Sequence, residues 1–193
     1  MNQIPLLSVT FPTGCFIGFN AAIERKSAEQ LAMVCGDAVK NGYKEIHLCI
    51  NSTGGFMDQT YYLCNILDAL PAKIITHNVG VIQSAAIILY MIGHERLATE
   101  GSTIVFHQTG FEGALGQRFV KAFLKEKLTG IDYEDDRSAS IVAQRAGRTV
   151  SEVRQWQDAE ITMTTAAAIE NGIVHRIAPL IIPTGAFYHQ VLV

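Results

Sequence analysis

Charge is scarce in this sequence. Lys and Arg number 15 and Asp and Glu 18 among 193 residues, 17% of the chain against 49% hydrophobic. Ordinary domains carry about a quarter charged residues. So lean a surface points to faces covered by other subunits, with a large core as the plain alternative. The net charge of -3 comes with no basic stripe and no aromatic–arginine cluster, which argues against nucleic acid as a partner. Lys121, Lys125 and Lys127 lie close together, but Glu126 stands among them, and a solvated helix face accounts for them.

Metal and redox spacings are missing too. Cys15, Cys35, Cys49 and Cys64 form no CxxC and have no histidine cluster around them, so no metal or cofactor is implied. Cys35, Cys49 and Cys64 fall in apolar runs, where cysteine acts as a small hydrophobe, and the pattern fits a reducing compartment. The opening MNQIPLLSVTF lacks the charged start and long apolar centre of a signal peptide. The longest uncharged stretch, Ile74 to Gly93, is broken by His77, Asn78, Gln83 and Ser84, so a strand and a helix explain it better than a membrane span. A cytoplasmic protein without a membrane partner is the expectation. No linker, repeat or low-complexity tract divides the chain, so 1–193 reads as a single domain.

What is present is a regular alternation of strand and helix. The spacing predicts a helix over Ser27 to Asn41, with Ser27 as N-cap, Gln30 at its third position and Gly42 as its stop. Glu45 to Asn51 reads as a strand. Met57 to Leu70 reads as a helix ended by Pro71, with Leu63, Ile66, Leu67 and Leu70 on its apolar side. Lys73 to Val79 is a second strand, Ser84 to Ile92 a helix apolar nearly all round and therefore buried, and Ser102 to His107 a third strand. This order gives an α/β fold with a parallel sheet and right-handed crossovers. The stretch from Gln117 to about Gly147 predicts a long helix, with Phe119, Val120, Phe123 and Leu124 on a face that needs a partner. Ser151 starts a further helix supported by Glu152, Thr164 to Asn171 forms a short one, and Ile173 to Ile177 returns as a strand.

Three segments carry the chemistry: Asn51-Ser52-Thr53-Gly54-Gly55, Gly80-Val81-Ile82-Gln83-Ser84-Ala85-Ala86 and Phe106-His107-Gln108. Each follows or ends a predicted strand, and in a parallel sheet ligand sites lie at the carboxyl ends of strands. Taken singly, Ser84 reads as a helix cap or a nucleophile, His107 as a structural histidine or a base, and Gly54-Gly55 as a turn or an oxyanion donor. On one sheet edge they supply a nucleophile, a base and backbone donors, the set acyl transfer requires. The segment is not a GxSxG elbow, so the α/β-hydrolase motif is absent.

These segments resemble the proteolytic subunit of the Clp protease, within the crotonase-like superfamily. Asn51-Ser52-Thr53-Gly54-Gly55 with Ile50 is similar to the family's INSPGG, and Gly80 to Ala86 to its GQAASMGA, with the glycine-to-serine offset kept. Val105-Phe106-His107-Gln108-Thr109 stands for MIHQP, and Thr162 to Val174 for FLSAxEAxEYGLVD. The likeness runs from about Gly14 to Ile177. It implies a ClpP/crotonase-like superhelix of repeated β-β-α units with a protruding long helix. The implied head is about 1–115 and 148–177, the handle about 116–147, and 178–193 is a tail without a counterpart. It implies Ser84 and His107 as catalytic residues and the backbone N–H groups of Gly55 and Ala85 as the oxyanion hole. The family's aspartate, twelve residues before the glycine of its last motif, falls on Glu160, with Asp158 as the alternative acid.

The resemblance further implies peptide or unfolded-protein substrates and a homo-oligomeric heptameric ring or double ring. It also implies a hexameric Clp-type ATPase as partner. Only Met1 to Pro12 precede Gly14, however, where the family carries its gating segment, which argues against docking through that segment. Glu160 in place of aspartate and the bulkier Gly80-Val81-Ile82-Gln83-Ser84 keep two other readings open. One is an inactive or regulatory paralogue; the other is a crotonase-like acyl-CoA enzyme.

Overall fold

The computed structural model describes residues 14–111, 113 and 116–192, so the stretch Met1 to Pro12 lies outside the described residues. Alternating apolar residues build β1 (Gly14–Asn20), β2 (Glu45–Ser52) and β3 (Lys73–Gln83), joined by α1 (Arg25–Lys40) and α2 (Met57–Asp68). Then come α3 (Ala85–Met91), β4 (Glu95–Ala98) and β5 (Thr103–Val105). They are followed by the long α4 (Lys121–Ala146), α5 (Val150–Asp158), β6 (Thr162–Thr164), α6 (Thr165–Glu170), β7 (Arg176–Ile177) and β8 (Tyr188–Gln190). The sheet runs β6-β5-β3-β2-β1-β8, parallel except for the β5–β6 pair, with β4 on β3 and β7 on β4.

The sheet forks at β3. Residues Ile75 to Asn78 pair with β4, and Val81 to Gln83 pair with β5. On the opposite side the register with β2 jumps from Ile50–Asn78 to Ser52–Ile82. A bulge of this kind leaves main-chain groups unpaired, and two asparagines fill it. Val81 N–H donates to Asn51 Oδ1 (2.9 Å), Gly80 N–H to Asn78 Oδ1 (3.1 Å), and Asn78 Nδ2 to Thr103 O (2.9 Å). A Cβ at Gly80 would strike Asn51 Oδ1, so glycine is required there. The bulge re-aims the last third of β3 and sets the direction in which Ser84 leaves the sheet.

Ile17, Phe19, Ile46, Leu48 and Ile50 face Leu31 and Cys35 of α1 and Leu63 and Leu67 of α2 in the core, and α3 is buried along its whole length. Arg96 is buried among main-chain carbonyls. It donates to Ile173 O (2.8 Å), Gly172 O (3.0 Å), Arg145 O (3.1 Å) and Gly93 O (3.3 Å), tying the ends of α3, α4 and α6 together. Only the second half of α4 joins the core, through Asp135, Ser138, Ala139, Val142 and Ala143. At 26 residues α4 is about 39 Å long, and its first half projects. Phe119 and Val120 precede the helix, and at its start Phe119 stacks on Phe123 while Phe111 meets both rings edge-on.

Several expectations are corrected. Ser27 is not the cap of α1: Glu24 is, and Ser27 sits buried in the first turn, accepting from Glu24 N–H (2.8 Å) and donating to Ala22 O (2.7 Å). Ile66 is exposed. The packed face of α2 is Thr60, Tyr61, Leu63, Cys64 and Leu67, because the helix lies against both α1 and α3. Thr149, not Ser151, caps α5, exchanging hydrogen bonds with Glu152. The predicted strand at Ile173 to Ile177 shrinks to β7. The strands β4, β6 and β8 have no apolar alternation to announce them. The tail lies on the chain's own sheet: Phe16 N–H donates to Phe187 O and Val191 N–H to Gly18 O, both 2.9 Å, with Val191 buried. Among the described residues no helix is long and apolar enough to cross a membrane.

Arg96→Met removes four donors from buried carbonyls. It lowers unfolding free energy by about 3 kcal/mol, read as a reduced urea midpoint; a change under about 1 kcal/mol counts against this role.

Candidate active site

Ser84 leaves β3 through a backbone that non-glycine residues avoid, with φ 56° and ψ −131°. Such conformations cost about 1–3 kcal/mol and persist only where the surroundings impose them. Here Ser84 N–H donates to Val105 O (3.1 Å) and Ser84 O accepts from Ile87 N–H (2.9 Å), so the turn is gripped by β5 on one side and α3 on the other. Ala85 opens α3, and the N–H of a first helical residue has no intrahelical acceptor.

Gly54 and Gly55 reach the same spot from β2. Gly54 has φ 92°, and a Cβ built on it would lie 2.7 Å from Ser84 Cβ and 3.0 Å from the Ala85 nitrogen. A Cβ on Gly55 would drive into the Ile23 carbonyl. The bridge between Ile23 and Gly55 uses the Gly54 carbonyl and the Phe56 N–H, so the Gly55 N–H takes no part in it. The glycine pair is thus forced by close approach, and it sets backbone N–H groups beside Ser84.

His107 follows β5 and is half-buried. Ser84 and His107 line one cleft of about 350 Å³, open mouth included, whose apolar walls are Met57, Ile87, Ile88, Phe106 and Val142. Among the described residues no hydrogen bond joins Ser84 to His107. The His107 Nδ1 lies 2.6 Å from Gln108 O, and Gln108 Nε2 donates to Asp158 Oδ1 (2.9 Å).

Glu160 is exposed in the turn between α5 and β6, and its carboxylate does not meet His107. Its φ of 48° makes it, with Ser84, one of two non-glycine residues in the left-handed region among those described. Helices commonly end on a glycine in this conformation, so a glutamate there carries a backbone cost. The arrangement therefore brings Ser84, His107, Gly54, Gly55 and Ala85 to one edge, with Asp158 and Glu160 on the adjoining turn.

Sequence reasoning missed Asp135, Ser138, Arg154 and Gln157, which line or support this edge. Asp135 and Arg154 form an ion pair of 3.0 Å, and Gln157 Nε2 donates to Ser138 Oγ (2.9 Å). The signal was available: Asp135, Ser138, Ala139 and Val142 follow the i, i+3, i+4, i+7 spacing of a buried stripe.

The family model described as Clp protease matches residues 15–179. ATP-dependent Clp protease proteolytic subunit 1 of Thermobifida fusca (strain YX) is 29% identical over 138 residues, 70% of this chain. The chain spans 61% of the length of that curated relative. A solved structure of a ClpP1 mutant from Listeria monocytogenes superposes with a TM-score of 0.76 at 17% identity. That match covers 86% of this chain and 91% of the other, and it shows the ClpP/crotonase-like fold.

Gly54→Ala places a methyl group against Ser84 and strains its own backbone. It lowers fluorophosphonate labelling of the protein more than tenfold while leaving the far-UV circular dichroism in place; labelling at the wild-type rate refutes the close-approach argument.

Proposed function

The chain belongs to the Clp protease family, and on that premise we propose that it is a serine endopeptidase acting on peptides or unfolded proteins. The observation that carries this reading is the strained Ser84, held at the mouth of a cleft it shares with His107. Ser84 Oγ attacks the scissile carbonyl and His107 takes its proton. The N–H groups of Gly55 and Ala85 hold the oxyanion. The protonated His107 then releases the amine, and water regenerates the serine.

Glu160 is the proposed carboxylate member, taking Nδ1 of His107 when peptide fills the cleft. A glutamate serves this role in other triads. Its left-handed backbone supports the choice. Asp158, already tied to Gln108, is the second candidate. The apolar cleft walls favour apolar side chains next to the bond that is cut. The exposed Val120 just before α4 and Leu124 and Leu128 on its projecting half support assembly into a homo-oligomeric ring or double ring, the chamber that would confine proteolysis. A cytoplasmic location belongs to the same proposal.

A fluorophosphonate probe followed by peptide mapping tests the reading. An adduct on Ser84 in the wild type, absent from Ser84→Ala, is the expected result; no adduct on the assembled protein points to an inactive paralogue instead. In the peptidase assay Glu160→Gln lowers kcat more than Asp158→Asn, and the reverse order reassigns the acid.

A further inference from the structure

We propose that Asp135 is a positioning residue for His107, acting through the peptide group that joins Gln108 to Thr109. His107 Nδ1 stands 2.6 Å from Gln108 O. A carbonyl oxygen brings no proton, so the ring nitrogen must donate. The neutral imidazole then carries its single proton on Nδ1 and leaves Nε2 as a bare lone pair, the form a general base toward Ser84 needs.

The N–H of the same peptide group, that of Thr109, donates to Asp135 Oδ1 at 2.8 Å. Peptide groups are planar and stiff, so one plate is held at both ends. A carboxylate drawing on the N–H polarises the carbonyl across the plate and strengthens its hold on the imidazole. In the resting protein Asp135 therefore holds through a peptide the imidazole that Glu160 takes by direct contact when peptide fills the cleft.

Its surroundings suit that task. Asp135 is 1% exposed, on the half of α4 that enters the core. A buried carboxylate needs a counter-charge, and Arg154 of α5 supplies it, with Nη1 3.0 Å from Oδ2. The other charged groups facing this cluster are Asp136, 3.4 Å from Arg154 Nε, and Asp158, which holds the Gln108 side chain. The loop bearing His107 is thus pinned by its main chain to α4 and by a side chain to α5.

The inference rests on His107 being the base of the proposed peptidase, and its test reads the resting protein as well as turnover. Nitrogen-15 NMR of labelled histidine on the intact wild type shows His107 protonated at Nδ1, with a downfield, hydrogen-bonded proton. Asp135→Asn moves that proton upfield. It also lowers kcat/KM about tenfold, the loss of one charge-assisted hydrogen bond.

If Asp135→Asn fails to fold, Arg154→Gln leaves Asp135 buried without its counter-charge, and the His107 proton is displaced from its wild-type position. A wild-type His107 protonated at Nε2 overturns the proposal. So does an unmoved His107 proton signal in Asp135→Asn or in Arg154→Gln. A wild type that hydrolyses nothing overturns the peptidase reading alone, since the NMR result still decides the role of Asp135.

Discussion

The turn at Ser84 is the constraint on which the rest of the site depends. A serine at φ 56° is stable only if its neighbours leave it no alternative. Val105 O fixes its N–H, Ile87 N–H fixes its carbonyl, and Gly54 presses against its Cβ. Each of these grips has a cost elsewhere. Gly54 must be glycine to come so close, Gly55 must be glycine to pass Ile23, and α3 must be buried outright to hold the far side of the turn. The apolar run from Ala85 to Ile92 is therefore the anchor that keeps a strained residue in place, as well as filling the core.

The sheet contributes by being irregular at the right point. Were β3 to continue in register with β2, Ser84 would emerge along the strand axis rather than against β5. The register jump after Ile50, filled by Asn51 and Asn78, lets β3 change partner from β4 to β5 over a few residues. Burying Asn78 and half-burying Asn51 is tolerable because their amides bond main-chain groups that the bulge leaves open, and Asn51 Nδ2 donates to Asn20 Oδ1. The cost of the bulge is thus met locally, and it delivers Gly54, Ser84 and His107 to one edge.

This division explains what could be read in advance. The strands β2 and β3 and the helices α1 and α2 were legible because their apolar residues repeat at 2 or 3.6, α3 because it is apolar nearly all round, and the three motifs fell at strand ends, whereas β1 was not read as a strand. Nor were the short β4, β6 and β8. Arg96 in β4 is polar yet buried, because it serves carbonyls from three helix ends that no local window contains. Helix starts were misplaced where Ser27 and Ser151 looked like caps but Glu24 and Thr149 held the geometry, since caps depend on backbone angles one or two residues away. Asp135 was passed over because it is the acidic, polar start of a buried stripe with Ser138, Ala139 and Val142, and its partner Arg154 lies on α5, outside any local window.

The two halves of the site are consequently held by different kinds of force. Ser84 is fixed by main-chain bonds to β5 and to α3 and by steric contact, with no charged side chain taking part. His107 is fixed through side chains of α4 and α5, by an ion pair and by hydrogen bonds to a single peptide plane. A displacement of α4 by a fraction of an ångström would leave the nucleophile where it is and turn the base. Since hydrogen bonds weaken steeply with angle and distance, the alignment of His107 toward Ser84 is, on the proposed peptidase reading, the degree of freedom on which activity turns. The projecting first half of α4 gives anything that binds it leverage over that alignment.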